Sequence, residues 1–249
     1  MKRENSPALT RAIRNALRAL AEPERAPAMQ AYMKSAMPYL GVSAPRVKAA
    51  CREVYASYPF ESAELWRADV LSLWRGAKYR EERYAAIALS GQRKAAAFQN
   101  LAALPMYEEM IVTGAWWDFT DELAEHRIGP LLAAYPRSMR KTMLVWSRSP
   151  DLWKRRTSII CQMFFREATD LELLFSCIEP SRSSQEFFLR KAIGWALRQL
   201  AKHDPQTVLR YVKEHQAELS PLTHREALKH LSSRSGRGSS ATALQKRRP

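Results

Sequence analysis

Residues 186–200 read EFFLRKAIGWALRQL, a stretch with the hydrophobic periodicity of an amphipathic α-helix. Leu189, Ile193 and Leu197 recur at four-residue spacing, which places them on one face of such a helix. The same periodicity recurs along nearly the whole chain, whereas no segment shows sustained two-residue alternation and only 8 glycines are present to form hairpin turns. The sequence therefore predicts an all-α fold.

Helix start signals are frequent and predict a regular succession of helices. Proline follows Ala44, Ser149, Asp204 and Ser220, and capping boxes are predicted for Thr169 with Glu172 and for Ser183 with Glu186. These signals divide the chain into helices of roughly 10 to 18 residues with short links, the pattern of a helical-repeat protein. We predict stacked antiparallel helical pairs that form a curved HEAT-like solenoid with a basic concave face.

The C-terminal segment differs in composition from the rest of the chain. Residues 232–249 begin SSRSGRGSS and end KRRP, which leaves too little apolar surface to offset the entropy cost of ordering. We predict a single HEAT-like domain over residues 1–231 and a flexible basic tail over residues 232–249. The tail is interpreted either as a weak, sequence-independent tether to DNA or as a solubilising end with no further role.

The charge balance indicates a polyanionic partner. Lys and Arg number 40 and Asp and Glu number 25, so the formal net charge of +15 favours nucleic acid, with an anionic membrane surface second. No apolar run reaches the ~18 residues that a transmembrane helix needs, and residues 1–7 lack the apolar stretch of a signal peptide. We expect a soluble monomer of the cytoplasm, associated with the nucleoid if the source is bacterial.

The sequence contains no motif for a cofactor. Its 3 cysteines lack CxxC spacing and predict reduced, buried thiols, and its 5 histidines lack the spacing of metal ligands. No glycine-rich loop of the nucleotide-binding type occurs. We therefore expect neither a metal ion nor an organic cofactor.

Residues 114–126 read GAWWDFTDELAEH and carry the first candidate site. Trp117 and Asp121 are four residues apart, so on a helix the indole and the carboxylate share one side. Trp116 falls in the apolar sector with Phe119 and is expected in the core. A flat π surface beside a negative charge attracts a planar cation, and an alkylated purine in DNA is such a cation that suits a basic protein.

A second candidate surface lies on the polar side of the helix predicted to start after Ser183. Trp195 stands there between Lys191 and Arg198, opposite the apolar stripe. The indole is interpreted either as a nucleic-acid contact or as a side chain covered by a second helix. Lys191 is expected to contact the DNA backbone.

Arg156 projects from the apolar face of the helix predicted to start after Ser149. Burying an unpaired charge costs several kcal/mol, so this guanidinium needs an anionic partner. Two alternatives remain open from the residues alone, namely a salt bridge between helices and a clamp on a DNA phosphate.

Several ordered motifs together resemble the AlkD-type alkylpurine DNA glycosylases, which are all-helical HEAT-like repair enzymes. The resemblance covers most of the chain. The motifs are Tyr32-Met33-Lys34, Leu40-Gly41-Val42, WWDFTD at 116–121, WKRR at 153–156, and the stretches 186–198 and 219–230.

The resemblance implies roles for individual residues. It places Asp121 at the catalytic carboxylate position, and Trp117 and Trp195 in an aromatic cleft. It gives Tyr32 a supporting place at that cleft. It also implies that Arg156 and Arg198 contact the DNA backbone.

The family implies excision of cationic bases such as 7-methylguanine and 3-methyladenine from duplex DNA, without a cofactor and with the lesion left stacked. An alkylated purine departs as a neutral base, so one ionised carboxylate, Asp121, is expected to stabilise the sugar cation and position water. Asp118 and Glu122 are expected to be solvated or salt-bridged. The alternative is a noncatalytic basic α-solenoid that binds branched or damaged nucleic acid, and a protein-interaction scaffold is a third hypothesis.

Overall fold

The computed structural model describes residues 7–231, and this part of the chain is all helical, with no β-strand. It divides into two compact units, Met1–Gly114 and Ala115–Pro249. The predicted all-α fold is confirmed. The single domain predicted over residues 1–231 stays a prediction, and the basic tail predicted over residues 232–249 lies outside the described residues.

The first unit contains six α-helices among its described residues. They are α1 (Pro7–Ala19), α2 (Ala26–Met33), α3 (Ala44–Ala56), α4 (Ala63–Arg75), α5 (Arg80–Ser90) and α6 (Leu104–Gly114). Helix α5 packs against α1, α3 and α4, so it lies at the centre of this unit.

The second unit contains eight α-helices among its described residues. They are α7 (Trp117–Leu123), α8 (Gly129–Ala134), α9 (Pro136–Ser147), α10 (Leu152–Ile160), α11 (Leu171–Ile178), α12 (Phe187–Leu200), α13 (Pro205–Glu214) and α14 (Pro221–Leu228). A π-helical turn, Ala124–Ile128, joins α7 to α8. Helix α10 packs against α9, α11 and α12, and α12 packs against α14.

Helix starts match the sequence where proline follows a side chain that caps. Asp204 accepts a hydrogen bond from the backbone N–H of Thr207, and Ser220 accepts one from that of Thr223. The prolines after these residues begin α13 and α14 as predicted. Helix α3 begins at Ala44, with its proline in the first turn.

Three predicted helix starts are wrong by one to three residues. Helix α10 is capped by Asp151, which accepts from two backbone N–H groups, so it starts beyond Ser149-Pro150. Helix α11 is capped by Asp170 in place of Thr169, because a carboxylate is available one residue later. Helix α12 starts at Phe187 with no side-chain cap, so the capping box predicted at Ser183 does not form.

The motif Leu40-Gly41-Val42 is a turn that binds a buried carboxylate. Glu81 of α5 accepts hydrogen bonds from the backbone N–H groups of all three residues, at 3.0, 3.0 and 3.1 Å. Gly41 has a φ of +86°, and a Cβ there would lie 2.0 Å from the carbonyl oxygen of Glu22. This motif therefore has a structural explanation, because only glycine fits the turn that Glu81 holds.

The core of the second unit lies mainly between α10, α12 and the helices on either side. Its buried members include Ala124, Ile159, Ile160, Ile178, Leu189, Ile193, Leu197 and Val208. The stripe predicted on α12 is therefore buried as expected. All three cysteines are free and buried, and burial raises the pKa of Cys51 to about 12. Within the described residues, no helix is long and apolar enough to cross a membrane.

Candidate active site

The candidate site begins where the chain enters α7. Ala115 has a φ of +45°, and Trp116 is extended and occupies the N-cap position, so the seven-residue helix starts at Trp117. Trp117 and Asp121 therefore lie one turn apart on the same helix, as the sequence predicts. Trp117 is half-buried and Asp121 is buried.

Trp116 anchors the start of α7 from outside the helix. The prediction that placed it on the helix is wrong by one residue, and its side chain is half-buried. Its ring packs against Trp153 of α10 at 6.2 Å and against Phe188 of α12 at 5.4 Å between centroids. Trp153 and Phe188 also contact each other at 5.1 Å. This aromatic cluster fixes the three helices that carry the candidate site residues.

Asp121 is held by a bidentate ion pair with Arg156. The guanidinium Nε and Nη2 donate to the two carboxylate oxygens, each at 2.7 Å. Nη1 donates to the carbonyl oxygen of Phe188 at 2.6 Å. Asp121 is 9% exposed and Arg156 is 4% exposed, so the pair sits at the edge of the core.

This geometry identifies the anionic partner that Arg156 needs. Of the two alternatives left open by the sequence, the structure contains the salt bridge between helices. The guanidinium directs both sides of its planar fork at partners inside the protein, and little of it reaches solvent. The predicted contact of Arg156 with the DNA backbone stays a prediction.

Burial and pairing act on the pKa of Asp121 in opposite directions. Burial disfavours the ionised carboxylate and raises the pKa, whereas the hydrogen bonds and positive charge of Arg156 lower it. The burial effect is the larger, so the pKa lies above its ordinary value. Removing Arg156 would raise it further.

Three other carboxylates lie close to Asp121 in the chain. Glu122 is half exposed and lies 3.9 Å from Arg127 and 3.7 Å from His126, as the predicted salt-bridged role requires. Asp118 is half-buried in the first turn of α7. Glu125 was not among the predicted site residues, although its four-residue spacing from Asp121 is a signal that the two lie on one side of a helix.

The polar side of α12 carries a compact charged cluster. Lys191 and Arg198 both bind Glu226 of α14, at 2.9 and 2.7 Å. Both cations are partly exposed, and the cluster keeps one net positive charge. Their predicted contact with the DNA backbone stays a prediction.

Trp195 lies between those two cations and is half-buried, with its ring packed against the core of the second unit. Helix α14 approaches α12 directly beside it. A Cβ on Gly194 would lie 2.6 Å from the Cβ of Glu226 and 3.1 Å from the carbonyl oxygen of Thr223. Helix α14 is therefore the second helix that one interpretation of Trp195 required, and it covers part of the polar face of α12. The aromatic-cleft role of Trp195 stays a prediction.

Tyr32 belongs to the first unit. It lies near the C-terminal end of α2 and is 79% exposed. Its supporting place at the cleft stays a prediction.

One cavity in the second unit has a volume of about 360 Å³ and opens at the C-terminal ends of α10 and α12. Its walls include Phe164, Arg166, Lys202 and His203, but none of the predicted site residues. Among the described residues, no three His, Cys, Asp or Glu side chains converge on a position that could hold a metal ion. Asp121 with its aromatic neighbours therefore remains the candidate site.

Comparison with known proteins gives consistent results. The sequence pattern of a family described as DNA alkylation repair enzyme matches residues 13–231. A solved structure described as "Predicted DNA alkylation repair enzyme from Enterococcus faecalis" is 30% identical, with a TM-score of 0.71 over 85% of this chain and 97% of that one. Among curated proteins, no sequence is similar enough to count as a match.

Proposed function

The chain belongs to the family of DNA alkylation repair enzymes, and from this premise we propose that it is a monofunctional DNA glycosylase. The proposed reaction is hydrolysis of the N-glycosidic bond of cationic alkylated purines, such as 7-methylguanine and 3-methyladenine, in duplex DNA. The protein acts as a monomer in the cytoplasm and requires no metal or organic cofactor.

The observation that carries the proposal is the position of Asp121. A carboxylate repels a phosphate backbone and weakens binding to it. Its presence in a protein of net charge +15 therefore indicates another role. Asp121 is fixed in orientation by Arg156 and follows the half-buried Trp117 by one helical turn. An oriented anion beside an aromatic surface is suited to stabilise a cation that develops at the sugar.

The charge of the substrate explains why one carboxylate suffices. Hydrolysis of an ordinary glycosidic bond commonly needs an acid to protonate the leaving group and a second carboxylate. Alkylation at N3 or N7 already gives the purine a positive charge. When the C1′–N bond breaks, its electron pair neutralises the base, and the positive charge passes to the sugar.

Asp121 then acts on the sugar and on water. Its ionised carboxylate stabilises the oxocarbenium-like centre and orients a water molecule toward C1′. Oxygen from the water forms the new bond to C1′, and the proton that it loses passes to Asp121 or to solvent. Trp117 and Trp195 pack against the deoxyribose in this proposal.

Arg156 acts through Asp121. Its two parallel hydrogen bonds fix the orientation of the carboxylate, and its charge favours the ionised form that the reaction needs. Lys191 and Arg198 are proposed to bind DNA phosphates on the exposed side of α12, with Glu226 holding them in place.

Measuring which bases leave the DNA tests the proposal. Duplex DNA treated with a methylating agent is incubated with the protein, and the released bases are identified by mass spectrometry. A duplex that contains hypoxanthine, a neutral base, is the matched control. We expect release of 7-methylguanine and 3-methyladenine and little release of hypoxanthine, because only the cationic bases leave without protonation.

The competing function is noncatalytic binding to branched or damaged nucleic acid. It is favoured by the ion pair itself, since Arg156 neutralises the charge of Asp121. Salt-sensitive DNA binding without release of any alkylated base would support this alternative and contradict the glycosylase.

A further inference from the structure

Glu125 lies on the π-helical turn that directly follows α7. This turn, Ala124–Ile128, is an irregularity of the kind that often occurs at functional sites. Glu125 follows Asp121 by four residues and Glu122 by three, so it is a helical neighbour of both carboxylates. The turn also packs against α10, the helix that carries Arg156.

The carboxyl group of Glu125 is buried on one side. Within the described part of the chain, its Oε1 atom is buried and has no hydrogen-bond partner. An ionised carboxylate normally keeps its oxygens hydrated or hydrogen-bonded, so this environment favours the protonated form. Burial, followed by the negative charges of Asp121 and Glu122, raises the pKa of Glu125 to about 7, although Arg156 acts in the opposite direction.

The charges around Glu125 come from several elements. Helix α8 contributes no ionisable side chain, since its sequence is GPLLAA. Helix α7 contributes Asp118, Asp121 and Glu122, and the turn itself contributes His126 and Arg127. Helix α10 contributes Lys154, Arg155 and Arg156. Arg166 follows Phe164, whose ring stacks on His126. Of these, Asp121, Glu122 and Arg156 act electrostatically on Glu125, and Glu122 is itself paired with Arg127.

The net charge of Asp121, Arg156 and Glu125 indicates a role for Glu125. Asp121 and Arg156 form a pair of net charge zero, and a neutral pair stabilises an approaching cation less than a free carboxylate does. An ionised Glu125 gives the three side chains a net charge of −1, and a protonated Glu125 leaves it at zero.

We propose that Glu125 supplies the uncompensated negative charge of the Asp121 site, so that its deprotonation strengthens stabilisation of the sugar cation and of the cationic purine. This inference rests on the proposed glycosylase activity. Glu125 acts through its electrostatic field and does not touch the substrate, so it is a positioning residue. Asp121 faces the reacting atoms.

The kinetic test compares wild-type protein with Glu125→Gln across pH. Single-turnover release of 7-methylguanine is measured from pH 5.5 to 8.5 at constant ionic strength, with uncatalysed release subtracted. Titration of the substrate affects both proteins equally, so the ratio of their rates isolates Glu125. We expect the ratio of the wild-type rate to the Glu125→Gln rate to be near one at pH 5.5 and to rise about threefold to tenfold by pH 8.5. A coupling of one pKa unit corresponds to a tenfold effect on the rate.

Glu122→Gln is the matched control, because Glu122 lies one helical turn before Glu125 and carries the same charge. Unlike Glu125, Glu122 is half exposed and is already paired with His126 and Arg127. The ratio of the wild-type rate to the Glu122→Gln rate should be the same at pH 5.5 and at pH 8.5, because at each end of the range Glu125 carries the same charge in both proteins. If the ratio of the wild-type rate to the Glu125→Gln rate stays constant or falls as the pH rises, the inference is overturned, even if both proteins release the base. Glutamine also removes a charge that burial disfavours, so this variant is expected to fold at least as well as wild type.

A second measurement is independent of activity. In protein with ¹³C-labelled glutamate carboxyl groups, NMR titration follows Glu125, whose signal is identified by its loss in Glu125→Gln. We expect a midpoint near 7 that falls in Asp121→Asn, because a neighbouring negative charge is removed and Arg156 is left unpaired. A midpoint near 4.5 would overturn the inference. Titration as expected in a protein that releases no base would contradict the proposed function alone.

Discussion

At the scale of single residues, the pair of Asp121 and Arg156 connects fold and site. Sequence reasoning identified both residues and showed that Arg156 needs an anionic partner, because it interrupts an apolar helix face. It could not join the two, since they are 35 residues apart and on different helices. The packing of α7 against α10 supplies that information, because it brings the two side chains together as an ion pair.

Replacing Arg156 by Gln distinguishes the ion pair with Asp121 from a contact with a DNA phosphate. We expect base release to fall and stability to drop by about 3–5 kcal/mol, because a buried carboxylate is left without its partner. The slope of log DNA affinity against log salt concentration should stay unchanged, since no phosphate contact is lost. The slope is measured by fluorescence anisotropy at several salt concentrations.

Arg198→Gln is the matched control for that experiment, because Arg198 lies partly exposed beside Trp195. Its salt slope should become shallower by about one unit. A loss of slope in Arg156→Gln equal to that in the control would show that Arg156 binds a phosphate after all.

At the scale of elements, local sequence signals located helices better than they located the sites between them. Asp204 and Ser220 predicted two helix starts, because a capping side chain and a following proline act within one turn. At Ser149 and Thr169 a nearby aspartate provides the cap instead, and the strength of competing caps depends on backbone geometry. The π-helical turn at Glu125 leaves no sequence signature, and the four-residue spacing of Glu125 from Asp121 is the sequence signal that could have identified this residue.

The contact of α12 with α14 provides a test at this scale. Gly194→Ala should gain about 1 kcal/mol from helix propensity, but the added Cβ lies 2.6 Å from the Cβ of Glu226. We expect a net loss of about 1–3 kcal/mol, because two backbones must separate to relieve the overlap. Urea denaturation followed by circular dichroism measures it.

The same substitution should also weaken DNA binding, because Glu226 holds Lys191 and Arg198. A variant as stable as wild type, with unchanged DNA affinity, would show that α12 and α14 can separate without cost.

At the scale of the whole molecule, composition predicted the class of partner and periodicity predicted the class of fold. The division at Gly114 could not be predicted, because no linker composition marks it and the only local sign is the positive φ of Ala115. The curved solenoid and its basic concave face remain predictions, as does the role of the tail.

Deleting residues 232–249 tests the tail as a DNA tether. The segment carries five basic residues, Arg234, Arg237, Lys246, Arg247 and Arg248. If they reach phosphates, their loss should make the salt slope of binding shallower by about one to three units, since each contact releases counterions. The single-turnover rate at saturating protein should not change. An unchanged salt slope would favour the tail as a solubilising end.

The central claim is that an ionised carboxylate at Asp121 stabilises the sugar cation, and Asp121→Asn tests it most directly. Single-turnover release of 7-methylguanine from a duplex with one lesion is compared for wild type, Asp121→Asn and the control Asp118→Asn, with folding of each variant checked by circular dichroism. We predict a loss of at least about 100-fold for Asp121→Asn at undiminished DNA affinity, and a change within about threefold for Asp118→Asn. A folded Asp121→Asn protein that releases the base at the wild-type rate would contradict the account.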